Sequence, residues 1–363
     1  MTYFEAGDQL PFSELPLLGT VLAVQANYYR VQLDLSDLTE GLPLTFLLCT
    51  RRARLKKIGQ QVMVGDRVKV EEPDWAGGRG AIAQVFTRQS ALDRPPIANV
   101  DQILLVFALA EPILDPYQLS QFLVKAEMIN VDVTLCLNKS DQVSLEQQLQ
   151  WQTRLQQWGY DPILISVTTG SGLSYLESRL NKKTTVVCGP SGVGKSSLIN
   201  FLIPNLDLRV GAVSGKLERG RHTTRHVELF ELPTGGFLAD TPGFNQPSLE
   251  CEPEALADYF PEARQRLAVA SCQFSNCLHR DEPNCVVRGD WERYGHYLAF
   301  LETVEARTAQ LHQQSNPESS LKVKSKHKGE SQYEPKLETK KYRRSSRRTQ
   351  QQALQQLYQD VEG

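Results

Sequence analysis

The sequence predicts a multidomain protein: a small N-terminal β-barrel, a central α/β domain, a C-terminal helical module with a Cys/His cluster, and a disordered basic tail. Three observations predict it. Short β-like runs separated by turn residues fill the first 88 residues. From 89 to 248, apolar strand-like runs alternate with segments of helical period, the pattern of a largely parallel sheet covered by helices. Within 249–312, Cys272, Cys277 and Cys285 gather around His279, and from 313 to 363 the chain turns basic and polar.

The bulk properties set the class. A chain of 363 residues can bury two or three cores, and 40% hydrophobic with 23% charged residues is ordinary for a soluble protein. No apolar run approaches the roughly 20 residues of a membrane helix; the longest, 103–110, reads as one buried strand. The N-terminus lacks a basic region followed by an apolar core, so the expected location is cytoplasmic, without membrane association. A monomer is expected, and no internal repeat is visible. Cys49, Cys136, Cys188 and Cys251 are scattered and read as small buried residues.

Five strands are expected in the first domain, at 19–24, 28–33, 45–49, 66–70 and 81–86. That number and spacing fit a closed barrel of the oligonucleotide-binding (OB-fold) type. Between the third and fourth lies a run with five cations in seven residues, 51–57. It reads as a solvated loop or, on such a barrel, as a contact to nucleic-acid phosphates. In the second domain strands are expected at 102–108, 131–138, 162–166, 184–188, 226–231 and 236–240, and helices at 116–130, 145–158, 173–180 and 195–203.

The strand at 184–188 runs into Gly189-Pro190-Ser191-Gly192-Val193-Gly194-Lys195-Ser196, with Ser197 continuing into a helix. This is the phosphate-loop pattern in its required context. A glycine-rich turn between strand and helix turns successive backbone N–H groups and the positive helix end toward phosphate oxygens. Lys195 then reaches the β- and γ-phosphates, and the Ser196 hydroxyl is a Mg²⁺ ligand.

Asn138-Lys139-Ser140-Asp141 closes the strand at 131–138. One carboxylate, that of Asp141, can accept from both N1–H and the exocyclic amine of guanine. Adenine offers neither donor and would leave the acid unpaired. Ser166, opening Ser166-Val167-Thr168-Thr169-Gly170, is a candidate contact to the guanine carbonyl, or a plain turn. Asp240-Thr241-Pro242-Gly243 supplies a carboxylate for Mg²⁺ through water and, at Gly243, an amide for the γ-phosphate. Upstream, Gly220-Arg221-His222-Thr223-Thr224-Arg225-His226 offers Thr224, with Thr223 as the alternative, as a second Mg²⁺ ligand.

The order of these motifs is unusual. A guanine-nucleotide domain ordinarily runs phosphate loop, switch threonine, D-x-x-G, N-K-x-D; here N-K-x-D comes first and D-T-P-G last. The same sheet forms if the old termini are joined and the chain is opened elsewhere, because the ends of compact domains lie close together.

N-K-x-D, then GPSGVGKSSLIN, then GRHTTRH, then DTPGF resembles the RsgA (YjeQ, YloQ) family of circularly permuted GTPases of small-ribosomal-subunit biogenesis. The resemblance covers about residues 15–310 and leaves out the basic tail. It implies an OB-fold barrel that binds rRNA, a zinc-binding C-terminal module, and hydrolysis of GTP to GDP stimulated by the small subunit. By spacing alone Cys272-x4-Cys277-x-His279-x5-Cys285 fits zinc, or three buried thiols beside a surface histidine. The family pattern matches it position for position, which implies one structural Zn²⁺ with four protein ligands and no open site. The module is expected to pin the second switch.

Phe244 follows Gly243, where the best-known GTPases have a water-orienting glutamine. A low intrinsic rate is therefore expected. The resemblance implies His222 as the group that completes catalysis with Lys195 and Thr224, the alternative being a loop histidine that touches RNA. Residues 320–350 carry eleven Lys/Arg against three Glu, while the whole chain sums to −2, so positive charge is segregated into the tail. Two rival functions remain open at this level: a phosphate-loop phosphotransferase, or an RNA-binding switch acting on another RNA.

Overall fold

A computed structural model describes residues 17–34, 45–93, 96–204, 206, 227–240, 248–315, 321–325 and 331–335. Strands β1 (Leu17–Gln25), β2 (Tyr28–Leu33), β3 (Phe46–Arg51), β4 (Arg67–Asp74) and β5 (Arg79–Val85) close a barrel in the order β1-β2-β3-β5-β4. The β3–β5 pair is parallel and the other pairings are antiparallel. Alternation decides what lies inside: Tyr29, Val31, Leu33, Leu47 and Cys49 are buried, whereas Tyr28, Arg30, Phe46 and Leu48 point out. Gly19 lets β1 press onto β2, since a Cβ there would lie 2.3 Å from the Gln32 carbonyl.

The basic run is not a plain loop. A one-turn helix, α1 (Ala53–Lys57), forms within it because Leu55 inserts into the barrel core. Arg52 is taken up by Glu71 and Glu72, and Arg51 bonds the Gln60 carbonyl at 2.8 Å. Arg54, Lys56 and Lys57 remain at the surface. A short hairpin of β6 (Ala91–Asp93) and β7 (Pro96–Ala98) then leads out of the barrel, with Ile97 bridged to Val64.

The α/β domain contains β8 (Gln102–Ala108), α2 (Pro116–Glu127), β9 (Asp132–Asn138), α3 (Leu145–Gln157), β10 (Ile163–Leu164), α4 (Leu173–Leu180), β11 (Thr184–Cys188), α5 (Lys195–Leu202), β12 (Leu229–Glu231) and β13 (Phe237–Asp240). Its sheet runs β10-β9-β8-β11-β13-β12, parallel except for β12. Strand β8 is buried along its whole length. Ile103, Leu105 and Phe107 face one core with Leu119, Phe122 and Leu123 of α2. Leu104 and Val106 face the other with Leu176, Leu198 and Ile199. Asp115 caps α2 and Ser144 with Gln147 forms a capping box on α3, which fixes both helix starts. Helix α2 stops at Glu127, short of the expected 130, and Asn130 turns left-handed at φ 57°.

This order answers the question raised by the shuffled motifs. Strands β9, β11 and β13, which carry N-K-x-D, the phosphate loop and D-T-P-G, are parallel members of one sheet. Their carboxyl ends therefore emerge along a single edge, the edge where open α/β sheets bind ligands.

Two further helices follow, α6 (Pro261–Val269) and α7 (Tyr294–Ser315). The chain separates into two units, residues 1–301 and 302–363. In the second, β14 (Leu321–Ser325) and β15 (Ser331–Pro335) pair antiparallel with Lys322 opposite Glu334 and Val323 opposite Tyr333. Composition alone predicts disorder there; the alternation in Leu-Lys-Val-Lys-Ser is the local signal that composition averages away. Among the described residues no helix is long and apolar enough to cross a membrane.

Candidate nucleotide site and metal centre

The phosphate loop owes its shape to three glycines. Gly189, Gly192 and Gly194 have φ of 143°, 84° and 95°, a region closed to most side chains. Space excludes them too: a Cβ on Gly189 would lie 2.1 Å from the Val106 carbonyl, and one on Gly194 2.4 Å from the Asn138 amide nitrogen. Val193 is buried between them. Gly194 is the residue before α5, so the helix begins at Lys195 with Ser196 and Ser197 in its first turn. The Lys195 ammonium bonds the carbonyls of Gly189 at 2.9 Å and Pro190 at 2.6 Å. It is held over its own loop, where phosphate oxygens would compete for it.

N-K-x-D meets this loop directly. The buried Asn138 amide donates to the Val193 carbonyl at 2.9 Å, although 55 residues separate them in sequence. Lys139 adopts φ 60° and its ammonium bonds the Glu111 carbonyl in the β8–α2 turn. That turn also reaches the phosphate loop, with Pro112 Cδ 3.6 Å from where a Gly192 Cβ would be. Asp141 lies exposed in a short 3₁₀ turn, 140–142, which is tied to the next strand by Ser140 N–H to the Ile165 carbonyl at 3.0 Å. Ser166 is fully buried; its hydroxyl accepts from Thr169 N–H at 3.1 Å. That hydrogen bond shapes the turn of 166–170 beside Asp141.

Asp240 ends β13, with Val187 of the phosphate-loop strand as its register partner. His222, Thr223, Thr224 and Gly243 lie outside the described residues, as do all of 207–226 and 241–247. Glu111 is the nucleotide-site residue that sequence reading missed: its contribution is a main-chain carbonyl, which has no residue-type signal.

The Cys/His cluster is assembled. The ligand atoms of Cys272, Cys277, His279 and Cys285 all lie within 4.8 Å of one another. Cys272 Sγ is 3.5 Å from His279 Nδ1 and 4.0 Å from Cys285 Sγ, and His279 Nδ1 is 3.4 Å from Cys285 Sγ. Zn–S bonds of about 2.3 Å and a Zn–N bond of about 2.0 Å in a tetrahedron set edges of about 3.8 and 3.5 Å. The four residues fit such an ion, and the alternative from spacing, three buried thiols beside a surface histidine, fails because His279 is buried.

The loop is built around a carboxylate. Glu282 accepts from Leu278 N–H at 2.7 Å, Arg280 N–H at 2.9 Å and Asp281 N–H at 3.1 Å. Burial pushes its pKa up, but these amides outweigh burial and bring it down to about 2. Burial, reinforced by the neighbouring Cys285 and Cys272, raises the Cys277 thiol to about 12, and burial lowers the His279 pKa against the pull of Glu282 and Asp258. Tyr294 and Tyr297, three apart on α7, donate to the carbonyls of His279 at 2.9 Å and Leu278 at 2.8 Å.

The module docks on the α/β domain around Trp158, against which it presses an arginine whose charge is met inside the module. Arg293, fully enclosed, bonds Glu262 at 2.8 Å from Nε and with a second bond from Nη2. Its guanidinium lies 4.9 Å from the ring centres of both Trp158 and Phe260. Glu292 receives the Trp158 indole N–H at 2.8 Å. The expected pinning of the second switch falls on residues outside the described set; the contacts described are to Trp158 at the end of α3 and, from Arg264 to Glu127 at 2.7 Å, to the end of α2.

The profile of the RsgA GTPase family matches residues 85–250. A small ribosomal subunit biogenesis GTPase RsgA of Trichormus variabilis is 67% identical over 337 residues, 88% of this chain and 91% of that protein. The counterpart in Synechocystis is 52% identical, covering 83% of each. Among solved structures, YjeQ from Thermotoga maritima superposes with a TM-score of 0.68 at 31% identity, over 81% of this chain and all of that one. YloQ, a circularly permuted GTPase, gives 0.68 at 30% identity over 83% and 99%. Motif order, sheet order and these likenesses agree: this chain belongs to the RsgA family of circularly permuted GTPases.

Proposed function

We propose that this chain hydrolyses GTP to GDP and phosphate on the small ribosomal subunit late in that subunit's biogenesis, its nucleotide state timing binding and release. The observation that carries the nucleotide half is the Asn138–Val193 bond, which joins the base-reading and phosphate-binding motifs at 2.9 Å. The ribosomal half rests on the relatives, named as small ribosomal subunit biogenesis GTPases and 50–67% identical to this chain.

In this reading Asn138, Lys139 and Asp141 select guanine, with the 166–170 loop beside the base. The amides of 189–194 and the Lys195 ammonium hold the phosphates. Ser196, Thr224 and Asp240 hold Mg²⁺, which neutralises charge on the phosphates, and Gly243 meets the γ-phosphate. His222 orients the attacking water when the small subunit is bound. Cys272, Cys277, His279 and Cys285 hold a structural Zn²⁺. The barrel contacts rRNA through the exposed Arg54, Lys56 and Lys57. The protein acts in the cytoplasm as a monomer.

The test is GTP turnover measured alone and with purified small subunits, large subunits or free RNA. Stimulation confined to small subunits is expected. Equal stimulation by all three, or a phosphorylated product in place of free phosphate, overturns the reading.

A further inference from the structure

The barrel touches the nucleotide domain where the first switch segment ends. The described chain resumes at Val227, just beyond 207–226, the stretch that contains His222 and Thr224, and Glu228 leads directly into β12. Three contacts tie this segment to the barrel. Ala23 of β1 forms an antiparallel bridge with Glu228. Arg30 of β2 pairs with the Glu228 carboxylate at 2.8 Å. Gln32, next on the same face, donates to Glu231 at 2.6 Å.

Arg30 faces two ways. Its guanidinium also lies over the Phe46 ring, 5.0 Å from the centre. Tyr28, Phe46 and Leu48 surround it on the outer face of β2 and β3, 52%, 45% and 46% exposed. Large apolar side chains normally lie inside; three together outside, interleaved with an arginine, form a surface on which bases stack. On a barrel of this topology the β2–β3 face is also where single strands bind. A nucleic-acid phosphate arriving there meets an arginine whose charge a carboxylate of the neighbouring domain already occupies.

We propose that Glu228, supported by Glu231, competes with RNA phosphate for Arg30, so that RNA on the barrel detaches β12 and thereby acts on the switch segment. The proposal rests on the functional reading above and adds the route by which the partner reaches the nucleotide. Guanidinium–phosphate and guanidinium–carboxylate pairs use the same donors, so Arg30 cannot serve both fully. The pair is half exposed, so its contribution is small and easily displaced, which suits a contact meant to exchange. Linkage requires reciprocity: if RNA loosens β12, the nucleotide state that favours a loose β12 must tighten RNA binding by the same factor.

The experiment measures binding of a fluorescent, short single-stranded oligouridylate to the full chain loaded with GDP or with a non-hydrolysable GTP analogue. Glu228→Gln keeps the backbone bridge and removes the competing charge; it should tighten RNA binding about two- to five-fold. Arg30→Gln removes both partners' shared group and should weaken it several-fold. Both variants should erase the difference between the two nucleotide states. An ion pair that only supports the domain interface would shift both variants the same way, and that result overturns the proposal. So does a nucleotide-dependent difference that survives in both. If the wild-type chain binds neither this RNA nor purified small subunits, the functional reading itself fails; if it binds them and the variants behave as wild type, only the competition fails.

Discussion

At Gly194 one added methyl group would push apart the two halves of the nucleotide site. The backbone is left-handed there, and the new carbon would collide with the amide that Asn138 uses to hold Val193. Gly194→Ala should cost about 1–3 kcal/mol in strain at that point. Titration with a fluorescent GDP should show affinity reduced about fivefold or more, since about 1.4 kcal/mol is a factor of ten. Affinity equal to wild type would mean that the loop is not held by this contact. At this scale sequence reading succeeds where residue type is the message. Three glycines, a lysine and an Asn-Lys-x-Asp string each have a fixed chemical reason. It fails at Glu111, which works through its carbonyl, and at Glu282 and Arg293. Those two read as ordinary surface charges, and only the fold turns them toward Leu278 N–H and Glu262.

The element most exposed to chemistry is the Cys/His loop. Thiols must lose their protons to hold a metal, and burial has already raised that of Cys277 to about 12. Metal binding therefore strengthens as pH rises and weakens as it falls. The carboxylate of Glu282 works in the other direction. Its folded pKa of about 2 lies below the ordinary value, so its contribution is present above that ordinary value and is lost only as pH falls through about 2. Acid should thus release the metal first, by protonating the ligands, while the Glu282 contacts persist. Titration with a chromogenic chelator should show zinc leaving well above pH 4; retention down to about pH 2 would contradict this order. Glu282→Ala should hasten chelator-driven release at neutral pH, read as free zinc. Release at the wild-type rate would show the carboxylate to be incidental. Elements were legible wherever the signal was local: the barrel strands, β8, and helices α3 and α4 fall at their expected positions. Helix α1 was not, because five residues dominated by charge carry only Leu55 as an apolar cue.

Across the whole molecule, domains far apart in sequence are joined by single polar contacts within packed surfaces. Arg293 of the C-terminal module, buried against Trp158 of the α/β domain, keeps its charge by pairing with Glu262 of its own module. Removing one partner of a buried pair leaves the other charged and unsolvated, so Glu262→Gln should cost about 3–5 kcal/mol, while replacing both partners with apolar residues should cost far less. Thermal unfolding of the single and double variants checks this; a double variant as unstable as the single one would show the charge itself to be needed. Gly159, where a Cβ would lie 2.7 Å from Pro261, marks how closely the two domains approach. None of these contacts had a sequence signature, since each is one common residue meeting another well beyond the reach of local pattern, 31 positions away for Arg293 and Glu262. The permuted order of motifs did, and the sheet order explains how it works. In the proposed reading Asp141, ahead of the phosphate loop by some fifty residues, selects the base of the nucleotide whose phosphates that loop holds. The most direct measurement is therefore the nucleotide preference of Asp141→Asn. Preference should pass from guanosine to xanthosine diphosphate with the phosphate loop untouched, and an unchanged preference for GDP would contradict the account.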